Sequence, residues 1–237
     1  ARFPVVHADL YRLGSADELD ELGFDENRDA GVTLVEWPEN ASGRLPAASL
    51  IAIRIDMEGE GRIAHVEGTE NVLARVARSL KIREFLDTSG YPAARRTHLT
   101  GDASTRAYEN IDTAAGDRLV LMDAAAQPDG PPVRDGKPYS RIAHLAESVT
   151  PFVAIDLALR KAGFCAPEIH AQNLDDGILL LENLGSEGFL TADGKPVAER
   201  YCAAARLLAD LHQRQWPRHI AISETASHEI PLYDRPA

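Results

Sequence analysis

The sequence predicts two folded units in series, an α/β unit followed by an α+β unit. In residues 1–70, two apolar strand-like runs at 4–10 and 32–35 are separated by a helix-like stretch, which favours parallel strand pairing. A long helical pattern then begins near Asn71. Beyond it, several strand-like segments come before a second helix-rich stretch, which favours an antiparallel sheet with helices across residues 76–237.

Composition excludes several classes of protein. The 237 residues carry a formal net charge of −12, so the sequence lacks the basic surplus that direct nucleic-acid binding usually needs. It contains no apolar run of about 18–20 residues, so we expect no membrane span. Its two cysteines, Cys165 and Cys202, lie far apart in sequence and predict neither a zinc site nor a disulfide framework. A reduced, cytoplasmic setting fits best.

The first unit is predicted to contain four strands and a short helix. PVVHADL and the apolar run in GVTLVEWPE are the two strands of the α/β pattern, and SADELDEL between them has a capping-box signature with Ser15 as N-cap. LIAIRID and RIAHVEG, residues 50–56 and 62–68, alternate enough to form a hairpin joined through EGEG.

The second unit is predicted to begin with a helix over 71–90 that stops at Gly90. Thr150 is predicted as N-cap, and Pro151 as first residue, of another helix that runs to 163. The strand-like segments are RRTHLTGDASTRAYENID, which includes a polar turn, DRLVLMDA, APEIHAQ and GILLLENLG, and they are followed by an amphipathic helix over 197–215.

Two acids follow apolar strands in the first unit. Asp9 and Glu36 stand at or near the strand ends, where ligands gather in open parallel sheets, and Mg²⁺ prefers carboxylate oxygens. Trp37 offers an aromatic wall beside Glu36. His7 shares a strand face with Asp9, so it either orients that acid or is a satisfied core histidine. The plainer alternative is that Asp9 caps a turn and Trp37 is a half-buried aromatic residue.

The segments HADLYRL, LDELGFDE and TLVEWPE resemble, in order and spacing, the second half of TsaE, the ATPase of bacterial tRNA threonylcarbamoyladenosine synthesis. The resemblance implies a partial P-loop-type parallel sheet over residues 1–70. It implies that Asp9 binds magnesium or orients water, that Glu36 is a magnesium ligand and that Trp37 neighbours the nucleotide. It also implies other tRNA threonylcarbamoylation proteins as partners. The phosphate loop of that family, G-x-x-x-x-G-K-[ST], is not found in the sequence.

Two further stretches have the composition of a nucleotide site. GDASTRAY lies between strand-like segments, and its Gly101, Ser104, Thr105 and Arg106 can present backbone N–H groups, hydroxyls and charge to a phosphate. A plain hairpin turn is an equal alternative. LLLENLG, residues 179–185, reads as a buried strand that enters an acidic, glycine-containing turn, and a core strand with a turn is the simpler interpretation.

In series, GDASTRAY, RLVLMDA, PFVAIDLALRKAGFCAPEIHA, LLLENLG and YCAAARLLADLH resemble the AmgK-like cell-wall sugar kinases, relatives of aminoglycoside phosphotransferases. The resemblance implies a protein-kinase-like N-lobe and the start of its helical lobe over 76–237. It implies a phosphate loop at GDASTRAY and a hinge that meets adenine at Glu182 and Leu184. Where many kinases place a phosphate-pairing lysine, this sequence has Met122 and Asp123.

The two resemblances together predict a piece of a bifunctional protein that uses ATP and Mg²⁺. One part would hydrolyse ATP for tRNA modification, and the other would transfer a phosphoryl group to a hydroxyl of a small-molecule cell-wall sugar. Because neither a P-loop nor a kinase catalytic loop is found, we expect little turnover from these 237 residues alone. The alternative is a complete but degenerate nucleotide-binding or protein-interaction module without catalysis.

Overall fold

The chain divides into two compact units, residues 1–84 and 85–237, each with its own strands. The computed structural model describes residues 4–14, 18–21, 31–41, 43–45, 50–100 and 106–232. The mixed α and β content with a multi-stranded sheet, predicted from the sequence, is confirmed. Ser15, Gly101, Ser104 and Thr105 lie outside the described residues.

The first unit contains a parallel strand pair. β1 (Val5–Asp9) pairs with β2 (Val32–Glu36) in a register that sets Asp9 beside Glu36. The pair packs its inner face on a small apolar cluster that includes Leu10, fully buried directly after β1. The other members of that cluster come from the short helix α1 (Glu18–Glu21), from a 3-10 helix at Pro38–Ala41 and from adjoining segments, and they are Leu19, Ala41, Ala8, Leu13, Val35 and Leu45.

The predicted hairpin is present. β3 (Ala52–Glu58) and β4 (Gly61–Glu67) pair in antiparallel fashion around a two-residue turn at 59–60. Gly59 adopts a φ of 56°, a left-handed conformation that glycine reaches without a steric cost. The alternation of apolar and polar residues in the sequence therefore predicted this element within two residues at each strand end.

A long helix spans the point in the sequence where the first unit ends and the second begins. α2 spans Glu70–Thr88, and Gly90 follows it with a φ of 92°, as its role of helix stop requires. Leu86 is buried, and its carbonyl accepts a hydrogen bond from the Tyr91 N–H, which closes the helix end. Of the helices in the described ranges, none combines the length and apolarity that a bilayer crossing needs.

The second unit is built on a five-stranded antiparallel sheet, whose strands are β5 (Arg95–Leu99), β6 (Ala107–Asp112), β7 (Arg118–Asp123), β10 (Ile169–Asn173) and β11 (Ile178–Glu182). Their order across the sheet is β10-β11-β7-β6-β5. Two short pairs accompany it, β8 (Pro132–Arg134) with β9 (Lys137–Pro138) and β12 (His219–Ala221) with β13 (Ser227–Glu229). The helices of this unit are α3 (Tyr139–Ile142), α4 (Thr150–Lys161) and α5 (Ala198–Gln213).

The core of the second unit lies on both sides of β11. All four residues from Ile178 to Leu181 are buried, so the alternation expected of a half-exposed strand is absent. One side is covered by α4, and the cluster there contains Met122, Val149, Val153, Leu179 and Leu181. Alternate residues of the same strands, such as Leu121 and Leu180, therefore face the opposite side of the sheet.

The ends of the later helices differ from the prediction. Thr150 is the first residue of α4 and not its cap, because the helix begins one residue earlier than the Thr-Pro pair suggested, and its N–H donates to Ser148 Oγ at 3.4 Å. α5 forms within its predicted bounds, but none of its residues is buried. Its C-terminal end is held by Arg214, whose Nη1 donates to the Ala162 carbonyl at 2.7 Å.

The first prediction concerns the β11 core. We expect Leu179→Ala to lower the free energy of unfolding of the second unit by about 2–5 kcal/mol, because a fully buried leucine is replaced by a cavity. Leu208→Ala is the matched control, at a leucine of α5 that is 55% exposed. It should change the free energy of unfolding by less than about 0.5 kcal/mol. Urea unfolding followed by Trp216 fluorescence in a Trp37→Phe background measures both. Equal losses would contradict the described core.

The second prediction concerns Asp156 on α4, which is 4% exposed. Burial raises the pKa of its carboxyl above the ordinary 3.8, and the Arg160 cation offsets this only in part. Between 3.8 and the raised pKa, the folded state binds more protons than the unfolded state, so this group costs stability as pH rises through that window. Asp156→Asn should therefore gain stability relative to the wild type as pH increases.

Urea unfolding of both proteins from pH 4 to pH 8 tests this. The informative quantity is the difference in the free energy of unfolding between the two proteins. Arg118 donates to Asp112 and lowers the pKa of that carboxyl, so Asp112 makes both proteins more stable as pH rises, and the subtraction removes this shared effect. A difference that stays constant with pH, or that shrinks, would contradict the raised pKa of Asp156.

Candidate functional site

The two strand-end acids of the first unit are neighbours. Asp9 and Glu36 are register partners in adjacent parallel strands, so their side chains leave the sheet on the same side. That side is the exposed one, since residues alternate between exposed and half-buried along both strands. The sequence placed both acids at strand ends, and the parallel register brings them together.

Each carboxylate already accepts one hydrogen bond. The Tyr11 N–H donates to Asp9 Oδ1 at 3.0 Å, which is the turn-capping role left open by the sequence. His7 Nε2 lies 2.9 Å from Glu36 Oε1. His7 is exposed, so its interpretation as a core histidine is wrong, and the acid that it contacts is Glu36, which lies diagonally across from it on the neighbouring strand.

An aromatic pair borders the two acids. The rings of Tyr11 and Trp37 have centroids 5.1 Å apart and are tilted by 53°. Trp37 has a φ of 58°, rare for a residue with a side chain, at the point where the chain turns from β2 into the 3-10 helix. Asn40 holds this turn, since its N–H donates to the Trp37 carbonyl and its side-chain amide donates to the Leu10 carbonyl. Trp37 is 48% exposed and offers a flat apolar surface beside Glu36.

The donor set suits a hard cation with few protein ligands. Mg²⁺ commonly keeps several waters and takes one or two carboxylates together with phosphate oxygens. Asp9 and Glu36 each retain acceptor capacity beyond the one bond described, because a carboxylate offers about four lone-pair directions. In the part of the chain that the structure describes, no group of three or more metal-ligating side chains occurs. The pair therefore fits a magnesium ion shared with a nucleotide better than a closed metal centre.

In the second unit, the candidate phosphate-binding stretch is described only at its end. Arg106 comes directly before β6, whose first residue, Ala107, pairs with Asp123 at the end of β7. Asp123 in turn pairs with Ile178 at the start of β11. Arg106 thus lies at one end of the sheet, beside Asp123.

Met122 occupies the position where the kinase resemblance would place a lysine. It is fully buried and packs with Val149, Val153, Leu179 and Leu181 between the sheet and α4. A cationic side chain at this position would lie in an apolar core. Position 122 therefore offers no positive charge to a phosphate. The methionine serves packing instead.

The candidate hinge residues lie at the other end of the sheet. Glu182 is the last residue of β11, and its Oε2 accepts a hydrogen bond from the Glu168 N–H at 3.0 Å. The Gly185 N–H donates to Asn183 Oδ1 at 2.8 Å, which shapes the turn that follows. Leu184, between them, is exposed. The Glu182 N–H also donates to the Glu168 carbonyl at 2.7 Å, so both the side chain and the backbone of Glu182 hold the strand end against the segment before β10.

Glu182 also borders a cleft of about 700 Å³. Leu119, its register partner, lines the same cleft, so the cleft lies on the sheet face opposite α4. Arg118 at its edge donates to Asp112 Oδ1 at 2.6 Å, and this bond holds the pKa of Asp112 below its ordinary value. His170 and Asn183 add polar groups to an otherwise largely apolar lining.

Sequence reasoning missed two features. The bond between His7 and Glu36 follows from the parallel register, which a strand pattern alone does not supply. The buried acid Asp156 was read only as part of a helix, although its position three residues after Val153 places it on the buried side. That spacing was the signal that could have found it.

Comparison with known families matches both units. The family model described as "Threonylcarbamoyl adenosine biosynthesis protein TsaE" matches residues 1–64, and the model described as "Phosphotransferase enzyme family" matches residues 95–232. Both resemblances inferred from the sequence are thereby confirmed.

Individual relatives carry names of the same two kinds. An N-acetylmuramate/N-acetylglucosamine kinase of Caulobacter vibrioides is 34% identical over 145 residues, covering 56% of this chain and 40% of the relative. The protein of the same name from Pseudomonas putida is 38% identical over 99 residues, covering 42% of this chain and 24% of the relative. A tRNA threonylcarbamoyladenosine biosynthesis protein TsaE of Rickettsia bellii is 46% identical over 44 residues, covering 19% of this chain and 31% of the relative.

The chain therefore spans well under half the length of each of these relatives. The TsaE family model matches residues that lie within the first unit. The phosphotransferase match is the larger of the two and covers more than half of the 237 residues. By that match, the chain belongs to the phosphotransferase enzyme family.

Proposed function

We propose that the second unit binds ATP along its five-stranded sheet and contributes to transfer of the γ-phosphoryl group to a sugar hydroxyl. In this proposal the unit is a kinase-like N-lobe, with phosphates near Gly101, Ser104, Thr105 and Arg106 and adenine near the backbone of Glu182 and Leu184. The family membership supports phosphoryl transfer, which depends mainly on positioning and charge.

The separation of the two ends of the sheet carries the proposal. Ala107, directly after Arg106, pairs with Asp123, and Asp123 pairs with Ile178 on the next strand. The candidate hinge begins at Glu182, four residues further along β11, so the two ends of the sheet lie about 14 Å apart along the strand direction at about 3.4 Å per residue. An extended nucleoside triphosphate needs such an arrangement, with donors for the base at one end and cationic or N–H groups for the phosphates at the other.

The relatives suggest the acceptor. Two of them are named N-acetylmuramate/N-acetylglucosamine kinase, so we propose an N-acetylated amino sugar of the cell wall as the phosphoryl acceptor. The acceptor would be a small molecule, and the reaction would take place in the cytoplasm.

A second function is proposed for the first unit. The pair of Asp9 and Glu36 beside Trp37 supports binding of Mg²⁺ with a nucleotide, in an ATPase that serves tRNA threonylcarbamoylation together with other proteins of that process. Asp9 would bind the ion or orient water, Glu36 would bind the ion, and Trp37 would border the base. His7 would hold Glu36 in place through the 2.9 Å contact.

The third prediction tests ATP binding by the second unit. Arg106→Ala should weaken ATP affinity of the full chain about tenfold or more, because a charge-assisted bond to phosphate is lost. Arg134→Ala, at an exposed arginine of β8, is the matched control and should leave the affinity unchanged. Isothermal titration calorimetry with ATP in the presence of Mg²⁺ measures both. Equal affinities, or a chain that binds no ATP, would count against the proposal.

The fourth prediction tests the acid pair. Mn²⁺, a paramagnetic stand-in for Mg²⁺, should bind the full chain in the presence of ATP, and Glu36→Gln or Asp9→Asn should weaken it about tenfold. Glu39→Gln, at an exposed residue of the 3-10 helix three positions after Glu36, is the control. Electron paramagnetic resonance counts free Mn²⁺ directly. Wild-type affinity in both site variants would exclude the pair as ligands.

A further inference from the structure

Tyr11 and Trp37 are exposed aromatic residues that contact each other in the first unit. Tyr11 is 63% exposed and Trp37 is 48% exposed. Their ring centroids are 5.1 Å apart at a tilt of 53°, within the range in which aromatic pairs attract each other. The pair therefore adds little to a core, and its position beside the two strand-end acids is what distinguishes it.

The backbones that carry the two rings are tied to each other. The Leu10 N–H donates to the Glu36 carbonyl at 3.0 Å, so the pairing of β1 with β2 continues to the residues just before each ring. Asn40 joins the two turns, because its side-chain amide donates to the Leu10 carbonyl at 2.9 Å and its N–H donates to the Trp37 carbonyl at 3.1 Å. The Cα atoms of Tyr11 and Trp37 are therefore held in a defined relation.

The direction of the Trp37 side chain is a separate matter. Its φ of 58° determines how the chain turns, but the side-chain torsions of a half-exposed indole still have several staggered positions. The Tyr11 ring lies against the indole and favours the position in which the two rings touch. A ligand that stacks on Trp37 then has less side-chain freedom to remove when it binds.

Tyr11 is itself held by one of the two acids. Its N–H donates to Asp9 Oδ1 at 3.0 Å, an Asx turn in which the side chain fixes the backbone two residues further on. A carboxylate offers about four lone-pair directions, so Asp9 can keep this bond and still bind a cation. Through Tyr11, Asp9 therefore connects the proposed ion with the aromatic surface of Trp37.

We propose that Tyr11 is a positioning residue, which holds the Trp37 ring in the orientation in which a nucleotide base stacks on it. This rests on the proposed nucleotide binding by the first unit and adds a residue to which that proposal gives no role. The contact is between rings, so the Tyr11 hydroxyl is not needed for it. Phenylalanine at position 11 should therefore serve as well, and an aliphatic side chain should not.

The first experiment measures the motion of the Trp37 ring in the full chain without nucleotide. Trp216→Phe leaves Trp37 as the single tryptophan, and time-resolved fluorescence anisotropy then reports how freely its indole moves. In this background, Tyr11→Leu should lose much of the residual anisotropy and Tyr11→Phe should keep it. Tyr139→Leu, at a tyrosine of α3 that is 62% exposed, is the matched control and should keep it too. Equal residual anisotropy in Tyr11→Leu and Tyr11→Phe would overturn the proposal.

Two variants of Asp9 separate the ion from the ring. Asp9→Asn keeps a side-chain oxygen that can accept the Tyr11 N–H, so it should retain the anisotropy although it weakens ion binding. Asp9→Ala removes the acceptor and should lower the anisotropy. The same value in both variants would exclude Asp9 as the group that holds Tyr11.

The second experiment titrates the same chains with ATP in the presence of Mg²⁺ and follows Trp37 fluorescence, which reports on the first unit. Tyr11→Leu should weaken the apparent affinity about threefold to tenfold, the range that one aromatic pair supplies, and Tyr11→Phe should leave it unchanged. Equal affinities would overturn the role of Tyr11 toward the base. Ring order that depends on Tyr11, without any response to ATP, would instead mark the failure of the proposed nucleotide binding, so the two failures are distinguishable.

Discussion

Burial of β11 on both faces is the constraint on which the second unit depends. Four consecutive residues of this strand are inaccessible, so the sheet must be covered on both sides, by α4 on one of them. The strand has no freedom to slide, because a shift of one residue would move Leu179 and Leu181 away from α4. The candidate phosphate end and hinge end of the sheet are held apart by this one strand.

The turn before β11 contributes to the same constraint. Gly177 has a φ of 66°, and a side chain there would place its Cβ 2.3 Å from the Ala124 carbonyl oxygen. The Ala124 N–H donates to the Gly177 carbonyl at 2.9 Å, so the two backbones touch directly. This close approach ties the segment after β7 to the start of β11, at the end of the sheet near Arg106.

Much of the architecture could be predicted because local patterns determine it. The 3.6-residue spacing of α2 and the alternation in β3 and β4 are properties of short stretches, and each element appears where its pattern lies. The relation between strands is not local. The contact of His7 with Glu36 depends on which strand lies beside β1, and no spacing within either strand contains that information.

In the candidate site of the second unit, too, local sequence patterns predict some features, and packing between elements decides the others. The sequence indicated that a lysine is absent from β7, but only packing explains Met122, which fills a space between the sheet and α4. Asp156 was not singled out because a single acid in a helix usually faces solvent. Its burial follows from the side of α4 that meets the rest of the unit, and the spacing from Val153 indicates it only once that side is known.

The parallel pairing of β1 with β2 has a consequence for how this chain can vary. The acids at positions 9 and 36 share a face only while the two strands keep their register. Adding or deleting one residue inside either strand would turn one acid to the inner face, toward the cluster around Leu10. Length changes between the strands leave the pairing intact. Related chains should therefore differ in length between β1 and β2 far more often than within them.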